Sequence, residues 1–265
     1  MSAELKSLLA AQQKISNGIS ETGSAVQTAR VTPVNAVAAA VTILATEVAQ
    51  MSNGDTITFD GVTLTKAAAT DAEAGEFLNI AGIRSCVDEL IPAWATSGTT
   101  NATLTRKVKG LAWNDINAVS SIVEATTAGG GAEAESTATI AAAMLAVMAA
   151  GDTVTFDENV FTLVASEAGA GEFTNATTLA ALINGLDDWA AVENAGAVDI
   201  TAAVVGDDWD GYEAVVTLSR ATEGGINGTV GLKDMIVADA SNLYVATANN
   251  TVNDANWKKV ALSSL

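Results

Sequence analysis

The chain has 265 residues, 49% of them apolar and 16% charged, so it is long and apolar enough to bury a core and is not a disordered polyelectrolyte. Twelve basic residues against 31 acidic ones give a net charge of −19 at pH 7, a field that repels phosphate backbones and anionic lipid and so argues against nucleic acid or a membrane as partner. There is no His and a single Cys, Cys86, which excludes imidazole catalysis, His metal ligation and an internal disulfide.

The N-terminal arm, residues 1–34, carries Leu5, Leu8, Ile15, Ile19 and Val26 at the three–four spacing of a heptad seam, with Gln12 and Thr22 between them. Gly18 and Gly23 weaken a continuous helix by about 1 kcal/mol each against Ala. An oligomerising or docking arm and a mobile segment fit these residues equally well. Thr32-Pro33 ends the arm, because the residue before Pro is pushed away from helical geometry. Leu8-Leu9-Ala10-Ala11 is too short for the apolar stretch of a signal peptide. The longest apolar run, 140–150, has 11 residues against the roughly 20 of a membrane span. The expected site of synthesis is a cytoplasm.

The centre of the chain repeats itself. Gly54-Asp55-Thr56-Ile57-Thr58-Phe59-Asp60 returns 97 positions later as Gly151-Asp152-Thr153-Val154-Thr155-Phe156-Asp157. Gly75-Glu76-Phe77 returns as Gly171-Glu172-Phe173, Asn79 as Asn175, Trp94 as Trp189, and Trp113 as Trp209. The reading is two copies of one domain, residues 35–131 and 132–227, followed by a C-terminal segment, 228–265. A long period present only twice fits duplicated globular domains and not a solenoid.

In the first copy, Val37, Val41, Leu44 and Val48 predict a helix over about 34–51. Alternating residues predict strands at 56–59 and 62–64 joined by Asp60-Gly61, a two-residue hairpin turn. The second copy has Glu158-Asn159 there, a poorer turn. A second helix is expected over 79–94, with Ile80, Ile83, Val87 and Leu90 on one face and Trp94 closing it, then strands at 103–108 and 118–123 and a Gly-rich hinge at 128–131. The second copy follows the same plan, with helices at 137–149 and 177–189 and strands at 152–156, 160–164, 198–205 and 213–218. The fold class expected is α+β: two tandem α-β-β-α-β-β domains, each a mostly antiparallel sheet with helices on one face. Three short strands, around 236–237, 243–246 and 257–262, complete a small β-rich C-terminal segment.

Candidate chemistry is sparse, and no catalytic or cofactor-binding residue is assigned. The acid pairs Asp88-Glu89 and Asp187-Asp188 read as solvated helix faces, and Glu76 and Glu172 as carboxylates in the first turn of a helix. Asp207, Asp208 and Asp210 form a weak calcium candidate; without the spacing of an EF-hand, an acidic loop is the preferred reading. Cys86 reads as a core thiol. Trp113 and Trp209 follow a Gly in loops and act as packed plugs or interface anchors, with packing preferred.

The run Gly151-Asp-Thr-Val-Thr-Phe, then Phe161-Thr-Leu-Val-Ala, a Gly-x-Gly-Glu-Phe loop, Thr178-Leu-Ala-Ala-Leu-Ile-Asn and Val198-Asp-Ile-Thr-Ala resembles a domain recurring in tailed-bacteriophage virion proteins. Gly224-Gly-Ile-Asn-Gly-Thr-Val-Gly, continuing through Leu243-Tyr-Val-Ala-Thr-Ala-Asn-Asn-Thr-Val-Asn-Asp-Ala-Asn-Trp-Lys-Lys-Val-Ala-Leu, resembles the C-terminal segment of phage head-fibre, decoration and tail-fibre proteins. The resemblance covers about 190 residues. The first copy departs from it at Leu111-Ala112-Trp113, where a Gly-rich turn is usual.

The resemblance implies a non-enzymatic virion protein without cofactors, displayed as a head decoration or fibre subunit. It implies partnership with other copies of itself, as a trimer, and with the major capsid or tail proteins. Interface candidates are Leu5, Leu8, Ile15 and Ile19 of the arm and Tyr244 and Trp257 of the C-terminal segment. The alternatives are a tail-tube, tail-terminator or neck component and, from another class, a cell-surface adhesin module.

Overall fold

A computed structural model describes residues 32–125, 135–166, 168–206, 209, 211–239 and 241–261. The arm candidates Leu5, Leu8, Ile15, Ile19 and Val26, the expected hinge at 128–131, and Asp207, Asp208 and Asp210 lie outside the described residues. The chain forms two units, the larger of residues 39–107 and 113–223, the smaller of 32–38, 108–112 and 224–261 among the described residues. Among the described residues strand outweighs helix, 41% to 15%, in several antiparallel sheets, which fits a mainly-β or α+β chain.

In the larger unit the first half runs β1 (Ala40–Ile43), α1 (Ala45–Gln50), β2 (Thr56–Phe59), β3 (Val62–Lys66), β4 (Glu76–Phe77), α2 (Ile80–Leu90), β5 (Trp94–Ser97), β6 (Ala102–Arg106) and β7 (Asn117–Ala125). The second half runs β8 (Thr137–Ile140), α3 (Ala142–Leu145), β9 (Thr153–Phe156), β10 (Asn159–Leu163), β11 (Glu172–Phe173), α4 (Ala176–Ile183), β12 (Trp189–Asn194), β13 (Ala197–Ala202) and β14 (Glu213–Ala221). One eight-stranded sheet has the order β11-β10-β9-β14-β7-β2-β3-β4, so strands of both halves share it. Its centre is the nine-residue antiparallel pair β14–β7, from Glu213 opposite Ala125 to Ala221 opposite Asn117. Two three-stranded sheets, β1-β6-β5 and β12-β13-β8, complete the unit.

Several elements differ from the sequence expectation. The helix expected over 34–51 is strand β1 followed by the short α1. Val41 and Ile43 point inward and pair with Leu104 and Ala102 of β6, so a β-branched Val-Thr-Ile run takes a sheet edge in preference to a helix. The helix expected over 137–149 likewise divides: Ala138 and Ile140 of β8 are buried and pair with β13, and only Ala142–Leu145 is helical. Gly-Glu-Phe makes a two-residue strand in each half, β4 parallel to β3 and β11 parallel to β10. Phe77 and Phe173 are thereby sent into the core. Glu76 and Glu172 are therefore not first-turn helix carboxylates. The capping group is Asn79, whose Oδ1 accepts the Gly82 amide at 3.1 Å, and Asn175, whose Oδ1 accepts the Thr178 amide at 3.0 Å. The order within each half is β-α-β-β-β-α-β-β-β, richer in strand than α-β-β-α-β-β.

Trp94 and Trp189 do not close helices. They open β5 and β12, where each ring meets a Phe edge-to-face: Phe59–Trp94 and Phe156–Trp189 both have centroids 4.7 Å apart. All four side chains are buried. Both hairpins use a two-residue turn in left-handed backbone, Asp60-Gly61 at φ 47° and 80° and Asp157-Glu158 at φ 48° and 61°. The second turn is therefore Asp157-Glu158 and not Glu158-Asn159; Asn159 begins β10, opposite Phe156. A non-Gly residue in that backbone costs energy, and Asn159 Nδ2 steadies the turn by donating to the Asp157 carbonyl at 2.6 Å.

The Gly-Asp dipeptides explain why that motif is repeated. Asp55 Oδ2 accepts the Ser52 amide at 2.6 Å and Oδ1 the Val123 amide at 2.9 Å. Asp152 Oδ2 accepts the Ala149 amide at 2.6 Å and Oδ1 the Ser219 amide at 2.8 Å. Both carboxylates are buried, each tying the turn before its strand to the long strand beside it.

Candidate interaction surface

The smaller unit is where the interface candidates can be located. Its sheet is β15 (Ile236–Ala238), β16 (Asn242–Ala246) and β17 (Trp257–Ala261), antiparallel in that order. With so few large apolar residues it is held by polar side chains clamped onto backbone. Asp239, in the β15–β16 turn, accepts the Ser241 amide at 2.8 Å, the Asn242 amide at 2.7 Å and the Tyr244 hydroxyl at 2.6 Å. The Tyr244 hydroxyl and those amides hold the Asp239 carboxyl well below the ordinary carboxylate range. The same hydrogen bond to Asp239 raises the Tyr244 phenol. Asn250 is buried and accepts the Asn256 amide at 2.6 Å, while Asp254 accepts the Thr251 amide at 2.6 Å.

Of the candidates here, Tyr244 is buried with its hydroxyl on Asp239 and belongs to the unit's own packing. Trp257 is half-buried; its Nε1 donates to the Thr229 carbonyl at 3.3 Å, and its ring crosses Gly231 so closely that a Cβ there would lie 2.7 Å from it. Gly231 is thus fixed by contact with an aromatic ring.

Elsewhere the singled-out residues are dispersed. Cys86 is buried; its Sγ–H donates to the Glu76 carbonyl at 3.3 Å, and burial first, then Asp71, pushes the thiol up. Asp88 accepts the Thr96 hydroxyl at 3.0 Å, and Glu172 the Gly169 amide at 2.7 Å. Among the described residues no group of three or more His, Cys, Asp or Glu is placed to hold a metal. Trp113 and Trp209 are packed. The Arg106 guanidinium lies 3.8 Å from the Trp113 ring centre and 5.4 Å from that of Trp94, while Trp209 meets Trp189 at 5.4 Å and Tyr212 at 5.6 Å.

Two arrangements were not legible in the sequence. Asp60 Oδ2 accepts both Trp94 Nε1, at 2.8 Å, and Arg106 Nη1, at 3.3 Å. In the second half Ala202 occupies the place opposite Trp189 that Arg106 occupies opposite Trp94, and Tyr212 and Trp209 crowd the Trp189 ring instead. The other is the ion pair between Glu47 of α1, itself buried, and Arg220 of β14, whose Nη2 also donates to the Val147 carbonyl at 3.1 Å. A cleft of about 520 Å³ adjoins it, walled by Val41, Thr42, Leu44, Ser219 and Arg220. A second, of about 400 Å³, lies between α1 and the start of α2.

Among the described residues no helix is long and apolar enough to cross a membrane. What fold and surface define together is a mainly-β or α+β chain with a small polar-clamped sheet unit. Comparison with protein-family models, with curated proteins and with solved structures finds no match to this chain.

Proposed function

We propose that this chain is a non-enzymatic structural component of a tailed-bacteriophage virion, a head decoration or fibre subunit made in the host cytoplasm and assembled as a homo-oligomer, a trimer, against the major capsid or tail proteins. The observation that carries the reading is the C-terminal segment. The residues on which its resemblance rests have specific structural work: Gly231 admits the Trp257 ring, Asn250 ties the 250–256 loop, and Tyr244 closes on Asp239. A segment whose glycines, asparagines and tryptophan form one clamp is reused as a unit, because changing any of them loosens the rest.

The larger unit is read as a duplicated domain. Support comes from the repeated sequence register and from matched details: the Asp55 and Asp152 clamps, the Phe–Trp pairs at equal separation, and a sheet order that reads alike from either edge. Immunogold labelling and mass spectrometry of purified particles test the function. Labelling confined to the head surface or to fibres supports the reading. Labelling along the tail or at the neck would move the assignment to those components, and a chain absent from particles would end it.

A further inference from the structure

We infer that the outward face of the β15–β17 sheet is the surface through which copies of this chain associate, its occupant being a second copy; this rests on the homo-oligomeric reading above. Strand register defines the face. Ile236 pairs with Val245 and Val245 with Lys258, while Ala238 pairs with Leu243 and Leu243 with Val260. Residues paired across antiparallel strands share a face, and alternate residues along a strand return to it. Five apolar side chains and one lysine therefore form one side of the sheet. Ile236 and Val260 are 44% and 46% exposed, and the three between them are partly exposed. The opposite side carries Tyr244 and Ala246, both buried. A three-stranded sheet with apolar residues on both faces needs cover on both, and among the described residues only one is covered.

Charge selects the occupant. Residues 39–107 and 113–223 carry five basic and 26 acidic side chains, a net −21, whereas the rest of the chain carries seven basic and five acidic, a net +2. Repulsion between the acidic units of two copies opposes association, and the near-neutral unit is the part of the chain that lacks this penalty. A basic partner would be drawn to the acidic unit, and an acidic one would find a single lysine on this face. Around a symmetry axis the same face of each copy meets its neighbours and matches their apolar area, while the exposed Lys258, on the edge strand β17, keeps its ammonium in water.

The test uses the full chain in sedimentation velocity at micromolar concentration. Ile236→Asp with Val260→Asp places two carboxylates from each copy into the contact and is expected to weaken assembly at least about 100-fold. Val192→Asp, at a position 66% exposed on β12, should leave assembly unchanged. Hydrogen-exchange protection at 242–246 reports whether the sheet stays folded. If the double variant loses it, Val260→Thr, which keeps strand propensity, should weaken assembly with protection intact. A monomeric wild-type chain, or a folded double variant that assembles normally, overturns the inference. Loss of assembly in Leu8→Asp with Ile15→Asp, but not in the sheet variant, would assign the contact to the arm and also overturn it. Absence from virions would remove the virion reading and leave the assembly result standing.

Discussion

The Asp55 carboxylate accepts the backbone amide of Val123 at 2.9 Å, two residues past Ser121, where pairing of β2 with β7 ends. Asp152 does the same for Ser219, two residues past Thr217, where β9 leaves β14. Each side chain thus continues the ladder by one bond. Its other oxygen closes the preceding turn. Burial, then the charge of Asp55, raises the neighbouring Glu124 carboxyl.

Replacing Asp55 or Asp152 by Ala takes the buried carboxylate away from two backbone amides. The expected cost is about 3 kcal/mol for either, from two hydrogen bonds to a charged group at about 1.5–3 kcal/mol each. Equilibrium denaturant unfolding measures it. A loss below about 0.5 kcal/mol, the scale of an ordinary surface change, would remove the clamp from the account.

Phe156→Ala removes the ring that meets Trp189 and should cost about 3–5 kcal/mol, the range of large aromatic truncations in a core. Phe59→Ala should cost a similar amount, because Phe59 meets Trp94 at the same separation. Thermal or chemical unfolding of the two variants, compared directly, decides whether the halves are equally tight.

Glu47→Gln leaves the Arg220 guanidinium facing a neutral side chain. Breaking a buried ion pair from one side costs about 3–5 kcal/mol. The double change Glu47→Leu with Arg220→Met should recover most of that loss, since an apolar pair carries no desolvation penalty. A double variant less stable than Glu47→Gln alone would contradict this.

Acid should loosen the C-terminal sheet before the core. The folded-state pKa of Asp239 is depressed, so its contribution is present above the unfolded value of about 4 and is lost as pH falls below it toward the folded value. Hydrogen exchange at 242–246, corrected for intrinsic rates, should show protection falling in that window. Tyr244→Phe, which removes the largest cause of the depression, should flatten the dependence. An unchanged acid profile in that variant would show that Tyr244 does not set it.

The helix expected from Thr177 begins at Ala176, after the Asn175 cap, but the repeat, the two hairpins, the positions of the long strands, the helix start at Asn79 and the three strands of the C-terminal segment were legible in the residues alone. These follow from local chemistry: alternation at period two, caps, and turn residues that accept left-handed backbone. The sequence also contained the segregation of negative charge. The tertiary structure alone decided that 40–43 and 137–140 are strands, because Ala-rich runs with Val and Ile satisfy both periods and a waiting sheet edge breaks the tie. It alone turned Trp94 and Trp189 from helix ends into strand starts, through pairing with Arg106 and Ala202. It alone joined the two halves in one sheet, through the β7–β14 pairing and the Glu47–Arg220 contact, which link residues about 90 to 170 positions apart. Pairing at that range leaves no periodic trace in either strand, since each reads the same whichever neighbour it finds.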